Sequence, residues 1–174
     1  RDVRVLPKTV IYDPQLTLGL PIALSVVSGM NAIAHAIEAL YAQDANPIMS
    51  MVAEEGLRGM AAGLKTLVGA PRDLGARSDC LYGAWLCGTV LGSVGMALHH
   101  KLCHTLGGSF NLPHAETHTV VLPHATAFNE QATGPAMVRA RRALGATGSV
   151  GAALFDLAHS LGAPTSLASL GMNE

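Results

Sequence analysis

Two long stretches without a charged side chain constrain this sequence more than any other feature. Residues 14–37 and residues 80–98 contain no Asp, Glu, Lys or Arg, in a chain of 174 residues that is 49% hydrophobic and only 13% charged. Segments of this kind must be buried, either in the core of a globular domain or in a membrane. Since the chain is long and apolar enough to bury a sizeable core, the composition excludes a disordered protein.

A membrane helix is the alternative for residues 80–98. The stretch is long enough to span a bilayer, and Gly88 and Gly92 have the GxxxG spacing of packed membrane helices. Asp79 precedes it directly, residues 99–101 (His-His-Lys) follow it, and no second convincing span occurs. The sequence therefore favours a fully buried core helix over a transmembrane bundle, and we expect no membrane partner.

The residue pattern predicts a mostly helical bundle behind a short strand region. Residues 3–12 are rich in β-branched and aromatic side chains and predict one or two short strands around Pro7, stopped by Asp13 and Pro14. These strands would have no partner within the chain, which suggests a piece of a longer protein. The predicted helices cover residues 28–43 with Ser28 as N-cap, 47–68 with Pro47 in the first turn, 74–106, 116–129 with an interruption near Pro123, 134–144, 149–161, and a short stretch after Pro164.

Charge and cysteine content argue against several classes of function. The chain has 11 basic and 12 acidic residues, no basic stripe and only 4% aromatic residues, so we expect no nucleic-acid partner. Cys80, Cys87 and Cys103 form no CxxC pair. A disulfide framework is therefore not expected, and a reducing, cytoplasmic compartment is the simpler interpretation. No charged-then-apolar leader is visible at the start.

The histidines are the most informative feature. Six of the eight lie between His99 and His124. Asn31 and His35 share a helix face at i and i+4, as do His100 and His104, and Glu38 continues the first stripe by one turn. The chain can fold His114 back towards His100, with His118 one turn further on, whereas His99 and Cys103 are expected to point elsewhere. This pattern predicts a convergent histidine site for a divalent metal or for proton transfer, without a zincin HExxH motif. Structural core histidines remain the alternative.

Two segments resemble the iron-containing alcohol dehydrogenase superfamily, and more narrowly its maleylacetate reductases. They are SGMNAIAHAIEALYA (residues 28–42) and HHKLCHTLGGSFNLPHAETHTVVLPHATAFN (residues 99–129). The resemblance implies an all-α helical bundle domain, the C-terminal domain of the fold shared with dehydroquinate synthase, over residues 17–174, with its end truncated. It also implies that residues 1–16 are the strand remnant of an N-terminal α/β nucleotide-binding domain. The active site would lie between the two domains, and no glycine-rich phosphate-binding turn follows a strand here.

The same resemblance implies a degenerate metal site. The family's ligands, an Asp and three His, fall on Asn31, His35, His100 and His114, and a further active-site histidine falls on His104. An amide in place of the carboxylate removes a negative charge from around the cation. We therefore expect Fe or Zn to be held loosely, and a metal not to be required.

As a function, the resemblance implies reduction of the maleylacetate double bond to 3-oxoadipate by NADH or NADPH, in the degradation of aromatic compounds. The expected catalytic residues are His100, His104 and His114. The expected binding residues for the small dicarboxylate substrate are Asn31, His35, Lys101 and His118. The family also implies a homodimer, and a missing N-terminal domain that holds most of the cofactor. The alternatives are a metal-dependent alcohol or aldehyde dehydrogenase of the same superfamily, and a helical module that is inactive in isolation.

Overall fold

A computed structural model describes residues 2–172 and shows a bundle of α-helices without a β-strand in that range. The all-α architecture predicted from the sequence is thereby confirmed. The helices are α1 (Ile22–Leu40), α2 (Pro47–Gly69), α3 (Leu74–Ser93), α4 (Leu98–Phe110), α5 (His114–Glu130), α6 (Gly134–Leu144) and α7 (Val150–Ser160). Short 3-10 turns cover Val3–Val5, Pro14–Thr17 and Ala168–Leu170.

Helix α1 is the centre of the bundle. It packs against α2, α3, α5 and α6, and its apolar side chains are fully buried on several faces, as at Ile33, Ala34 and Ala36. Contact on several sides explains why most of this helix carries no charge. By length and composition α1 is able to cross a membrane, but 56% of its apolar window is buried inside the bundle, as in the core helix of a globular protein.

Helices α2 and α3 approach each other closely where both carry glycine. A Cβ atom built on Gly83 of α3 would lie 2.7 Å from the backbone nitrogen of Met60 on α2. A Cβ on Gly56 of α2 would lie 3.1 Å from Sγ of Cys87. In contrast, Gly88 and Gly92 have no atom within 4 Å of such a position, so the GxxxG pair makes no helix contact in the described part of the chain.

The single helix predicted for residues 74–106 is wrong, because the chain turns at its middle. Helix α3 ends at Ser93, and α4 begins at Leu98 with its axis bent by 95°. Two carboxylates of other segments hold this corner: Asp44 accepts the Gly95 N–H at 2.9 Å, and Glu38 accepts the Ala97 N–H at 2.9 Å. These hydrogen bonds replace helical partners, which local sequence patterns do not reveal.

Three other sequence predictions need correction. Ser28 is not an N-cap, because α1 already begins at Ile22 after Pro21 and includes the apolar residues before Ser28. The predicted helix 116–129 begins at His114 and runs through Pro123 without ending there. The strands expected in residues 3–12 are absent from the described residues, which form a 3-10 turn and irregular backbone, since no strand lies beside them to supply ladder hydrogen bonds.

Other predictions hold closely. Helix α6 has the predicted limits, Pro47 lies in the first turn of α2, and α7 lies within the predicted range 149–161. The structure adds that Asn46 caps α2 and Ser149 caps α7. The stretch after Pro164 forms only the 3-10 turn Ala168–Leu170. The domain limits expected at residues 1 and 174 lie outside the described residues, and the boundary between residues 16 and 17 stays a prediction.

Candidate active site

Six histidine rings from three helices lie against one another where α1, α4 and α5 meet. The rings of His35 and His100 stack with centroids 4.9 Å apart. His100 and His118 are also 4.9 Å apart, and His118 and His114 are 4.4 Å apart. We call this group the histidine cluster, and it consists of His35 on α1, His99, His100 and His104 on α4, and His114 and His118 on α5.

Helical periodicity explains how the sequence brings these rings together. His100 and His104 lie one turn apart on α4, with ring centroids 6.1 Å apart. His114 and His118 lie one turn apart on α5, and the chain reverses between the two helices at Asn111, which has the positive φ of 53°. This reversal brings His114 to 6.1 Å from His104. Three separate stretches of sequence therefore supply one site.

Glu38 is the anionic group of the site and is completely buried. One of its oxygens lies 2.6 Å from Nδ1 of His100, and the other accepts the backbone N–H of His99 at 2.7 Å. Burial on its own would raise the pKa of Glu38, but the hydrogen bonds from His100, Ala97 and His99 outweigh burial and lower it. Glu38 therefore stays ionised inside the bundle.

His99 and His118 form a buried pair behind the rest of the cluster. Both side chains are fully buried, and Nε2 of His99 lies 3.0 Å from Nδ1 of His118. Burial is the main cause that lowers the pKa of His99 to about 3, and burial also lowers the pKa of His118 strongly. Burial, followed by the nearby His100, lowers the pKa of His35 to about 4. These rings are neutral at physiological pH.

The buried pair predicts a loss of stability in acid. In the unfolded chain a histidine takes up its proton below about pH 6.5, whereas folded His99 and His118 do not. The free energy of unfolding should therefore fall as the pH decreases from about 6.5 towards 3, by up to about 1.4 kcal/mol per pH unit for each ring. Denaturant titrations at a series of pH values measure this slope. We expect His118→Asn to reduce it and the exposed His124→Asn to leave it unchanged; a stability that is constant between pH 6.5 and 5 would contradict the prediction.

The rim of the cluster is open. His104 and His114 are exposed, whereas His100 behind them is buried and its Nε2 has no hydrogen-bond partner among the described residues. Asn31 lies one turn before His35 on α1, and its buried Oδ1 also lacks a partner there. An acceptor left unpaired by the protein is expected where a ligand binds. The site therefore has polar groups free to bind a substrate.

Lys101 is the predicted site residue that the structure does not place in the cluster. Its side chain is exposed and lines a cavity of about 630 Å³ together with Tyr41, Asp44 and Leu98. No histidine lines this cavity. His124 is exposed on α5 outside the cluster.

The residues present fit a divalent cation only weakly. The implied ligands, Asn31, His35, His100 and His114, supply an amide oxygen and three imidazoles but no carboxylate. The buried rings of His99, His100 and His118 offer nitrogens within 4.8 Å of one another. His99 and His118, however, are hydrogen-bonded to each other, and this bond uses one nitrogen of each ring. Glu38, the nearby carboxylate, is already bonded to His100 and to the backbone of α4. A metal here would have no anionic ligand.

Two members of the site, Glu38 and His99, have no role in the sequence interpretation. His99 was expected to point away from the site, which is wrong, because its ring contacts both His100 and His118. The signal that could have identified Glu38 is its spacing. It follows His35 by three residues on the same helix face, and a carboxylate on an otherwise apolar helix needs a buried partner.

Comparisons with known proteins agree on the family. The model of the Fe-containing alcohol dehydrogenase family, C-terminal, matches residues 25–174. A maleylacetate reductase of Burkholderia cepacia is 64% identical over 172 residues, which are 99% of this chain and 49% of the relative. A maleylacetate reductase of Pseudomonas sp. (strain P51) is 62% identical over 174 residues, which are 100% of this chain and 49% of the relative.

A solved structure gives the same result. The crystal structure of maleylacetate reductase from Agrobacterium tumefaciens is 60% identical and superimposes with a TM-score of 0.95, covering 99% of this chain and 49% of that chain. The chain thus spans about half the length of the relatives that it matches. Its helices, its histidine cluster and these matches lead to one conclusion: the chain belongs to the iron-containing alcohol dehydrogenase family, matches the C-terminal part of that family, and is similar to maleylacetate reductases.

Proposed function

We propose that this chain is part of an NAD(P)H-dependent oxidoreductase that reduces the carbon–carbon double bond of maleylacetate to give 3-oxoadipate. The observation that carries the proposal is the histidine cluster, with an amide at Asn31, in a chain 64% identical over 172 residues to a maleylacetate reductase. The proposed protein includes a nucleotide-binding domain outside this chain, because residues 2–172 contain no strand and hence no strand–turn–helix unit for the dinucleotide phosphates.

The reaction needs a hydride, stabilisation of negative charge and a proton. The reduced nicotinamide supplies the hydride, which adds to the alkene carbon activated by conjugation with the ketone. Negative charge then builds on the substrate oxygen, where hydrogen-bond donors must stabilise it. A proton is finally delivered to the neighbouring carbon. His104 and His114, exposed at the open side of the cluster, are proposed to donate in these last two tasks. His100, buried behind them, is proposed to orient the proton donor by accepting a hydrogen bond at Nε2.

The remaining polar groups are proposed to bind the dicarboxylate. Asn31 and His35 lie on the α1 side of the cluster, where the amide NH₂ group of Asn31 and the ring N–H of His35 are proposed to donate hydrogen bonds to a substrate carboxylate. Lys101 is proposed to pair with a substrate carboxylate from the rim of its own cavity. His118 is fully buried, so its contribution to substrate binding goes through His114 and His100.

No step of the proposed reaction uses a metal, because the donor set lacks an anionic ligand. We further propose a cytoplasmic homodimer without a nucleic-acid or membrane partner. The competing function is a metal-dependent alcohol or aldehyde dehydrogenase of the same family, which would need a cation at Asn31, His35, His100 and His114.

The two functions differ in their response to a chelator. With the full-length protein, we expect oxidation of NADH or NADPH that depends on maleylacetate and changes by less than about twofold after chelator treatment, since no step needs a Lewis acid. Absorbance of the reduced nicotinamide measures the rate, and product analysis identifies 3-oxoadipate. Alcohol oxidation that the chelator abolishes, without maleylacetate reduction, would reject the proposal. Turnover by the 174-residue chain alone would contradict the need for a second domain.

A further inference from the structure

We propose that Glu38 is a positioning residue that holds His100 in one tautomer, with Nδ1 protonated and the Nε2 lone pair directed into the site. The inference rests on the proposed function for its kinetic consequence, but its structural content is independent of the substrate. Glu38 is fully buried, contacts no solvent, and acts through His100 rather than on the substrate itself.

The hydrogen bonds of Glu38 determine the tautomer. An ionised carboxylate can only accept hydrogen bonds. Since Nδ1 of His100 lies 2.6 Å from a Glu38 oxygen, Nδ1 must carry the proton. In the neutral ring Nε2 is then an acceptor, and it is buried without a partner among the described residues. The carboxylate thus fixes both the orientation of the ring and the nitrogen that faces a ligand.

An amide could not do the same at this position. Besides His100, the carboxylate accepts the N–H groups of Ala97 and His99 and the hydroxyl of Tyr41, at 2.9, 2.7 and 3.3 Å. Every neighbour is a donor, so the NH₂ group of a glutamine would face at least one N–H or O–H. Asn129 donates in turn to the Tyr41 hydroxyl at 3.4 Å, which supports the arrangement from α5. The site specifically requires a group that only accepts hydrogen bonds.

The hydrogen bonds of Glu38 link the orientation of the His100 ring to the position of the N-terminus of α4. The N-cap residue Ala97 has no side chain to cap the helix, and Glu38 from α1 takes over this role through the first N–H groups of α4. A negative charge is also favourable at a helix N-terminus. Glu38 therefore sets the position of α4 and the rotation of His100 together.

The test is Glu38→Gln in the full-length protein, with Glu54→Gln as the matched control. Glu54 also links two helices, through Arg139 and Arg142, but it lies outside the histidine cluster. For Glu38→Gln we expect kcat to fall by about 10²-fold and KM to change by less than about threefold. For Glu54→Gln we expect kcat to stay within about twofold of the parent, whatever its effect on thermal stability.

A double-mutant cycle separates positioning from a merely structural role. If Glu38 acts through His100, Glu38→Gln should add little to the loss of kcat caused by His100→Asn. Multiplicative losses in the double variant would overturn the proposal, as would an unchanged kcat in Glu38→Gln.

Nitrogen-15 NMR of the histidines tests the tautomer without any assay and in the parent protein, with the His100 ring signal assigned through its covalent connection to the backbone signals. We expect a protonated Nδ1 and an unprotonated Nε2, and the opposite pattern would overturn the inference even if every variant failed to fold. If the parent protein does not reduce maleylacetate, the proposed function fails, and the NMR result still decides the role of Glu38.

Discussion

Replacing His104 by asparagine in the full-length protein is expected to lower kcat for maleylacetate reduction by about 10²- to 10³-fold. His104 is exposed at the rim of the histidine cluster, and its ring lies 6.1 Å from both His100 and His114. It can therefore contact a bound substrate and exchange protons with solvent. Asparagine keeps a polar side chain but cannot deliver a proton in this way, so the loss should appear mainly in kcat.

The exposed His124 provides the matched control, because it lies on α5 outside the histidine cluster. His124→Asn should leave both kcat and KM within about twofold of the parent. Steady-state kinetics with circular dichroism of each variant gives the comparison. A folded His104→Asn protein with the parent kcat would remove His104 from the proposed catalytic set, and the proton would then have to come from His114.

The parts of the site that follow from the spacing of residues within one helix could be predicted from the sequence. The i, i+4 spacing puts Asn31 beside His35 and His100 beside His104, and these relations need only the geometry of one helix. The return of His114 towards His100 follows from the break between two helices. Each of these inferences depends on residues close in the sequence, where spacing has a direct meaning.

What the sequence could not show depends on contacts between distant residues. Glu38 bonds to His100, which is far along the chain, and nothing in the pattern around either residue encodes that pair. The corner between α3 and α4 has the same origin. Residues 80–98 form one uninterrupted apolar stretch, and the chain turns there because Glu38 and Asp44 accept backbone N–H groups of Ala97 and Gly95. The missed carboxylate and the missed corner are thus one feature.

We expect the close contact between α2 and α3 at Gly83 to lose stability when even one methyl group is added. Gly83→Ala would place a Cβ atom 2.7, 2.8 and 2.9 Å from the N, Cβ and Cα atoms of Met60, and two of these belong to the backbone of α2, which cannot rotate away. The helices must move apart, and we expect the free energy of unfolding to fall by about 2 to 3 kcal/mol despite the higher helix propensity of alanine.

Gly88→Ala on the same helix separates propensity from packing. Gly88 is exposed and has no atom within 4 Å of the added Cβ. The free energy of unfolding of this variant should therefore rise by about 0.5 to 1 kcal/mol. Denaturant unfolding of both variants measures the two effects, and equal stabilities would mean that α2 and α3 can separate at no cost. Because α3 leads directly into the corner that carries α4, we expect a displacement of α3 at Gly83 to move His100 and His104 as well. We therefore expect the folded Gly83→Ala protein to lose activity as well as stability, whereas Gly88→Ala keeps both.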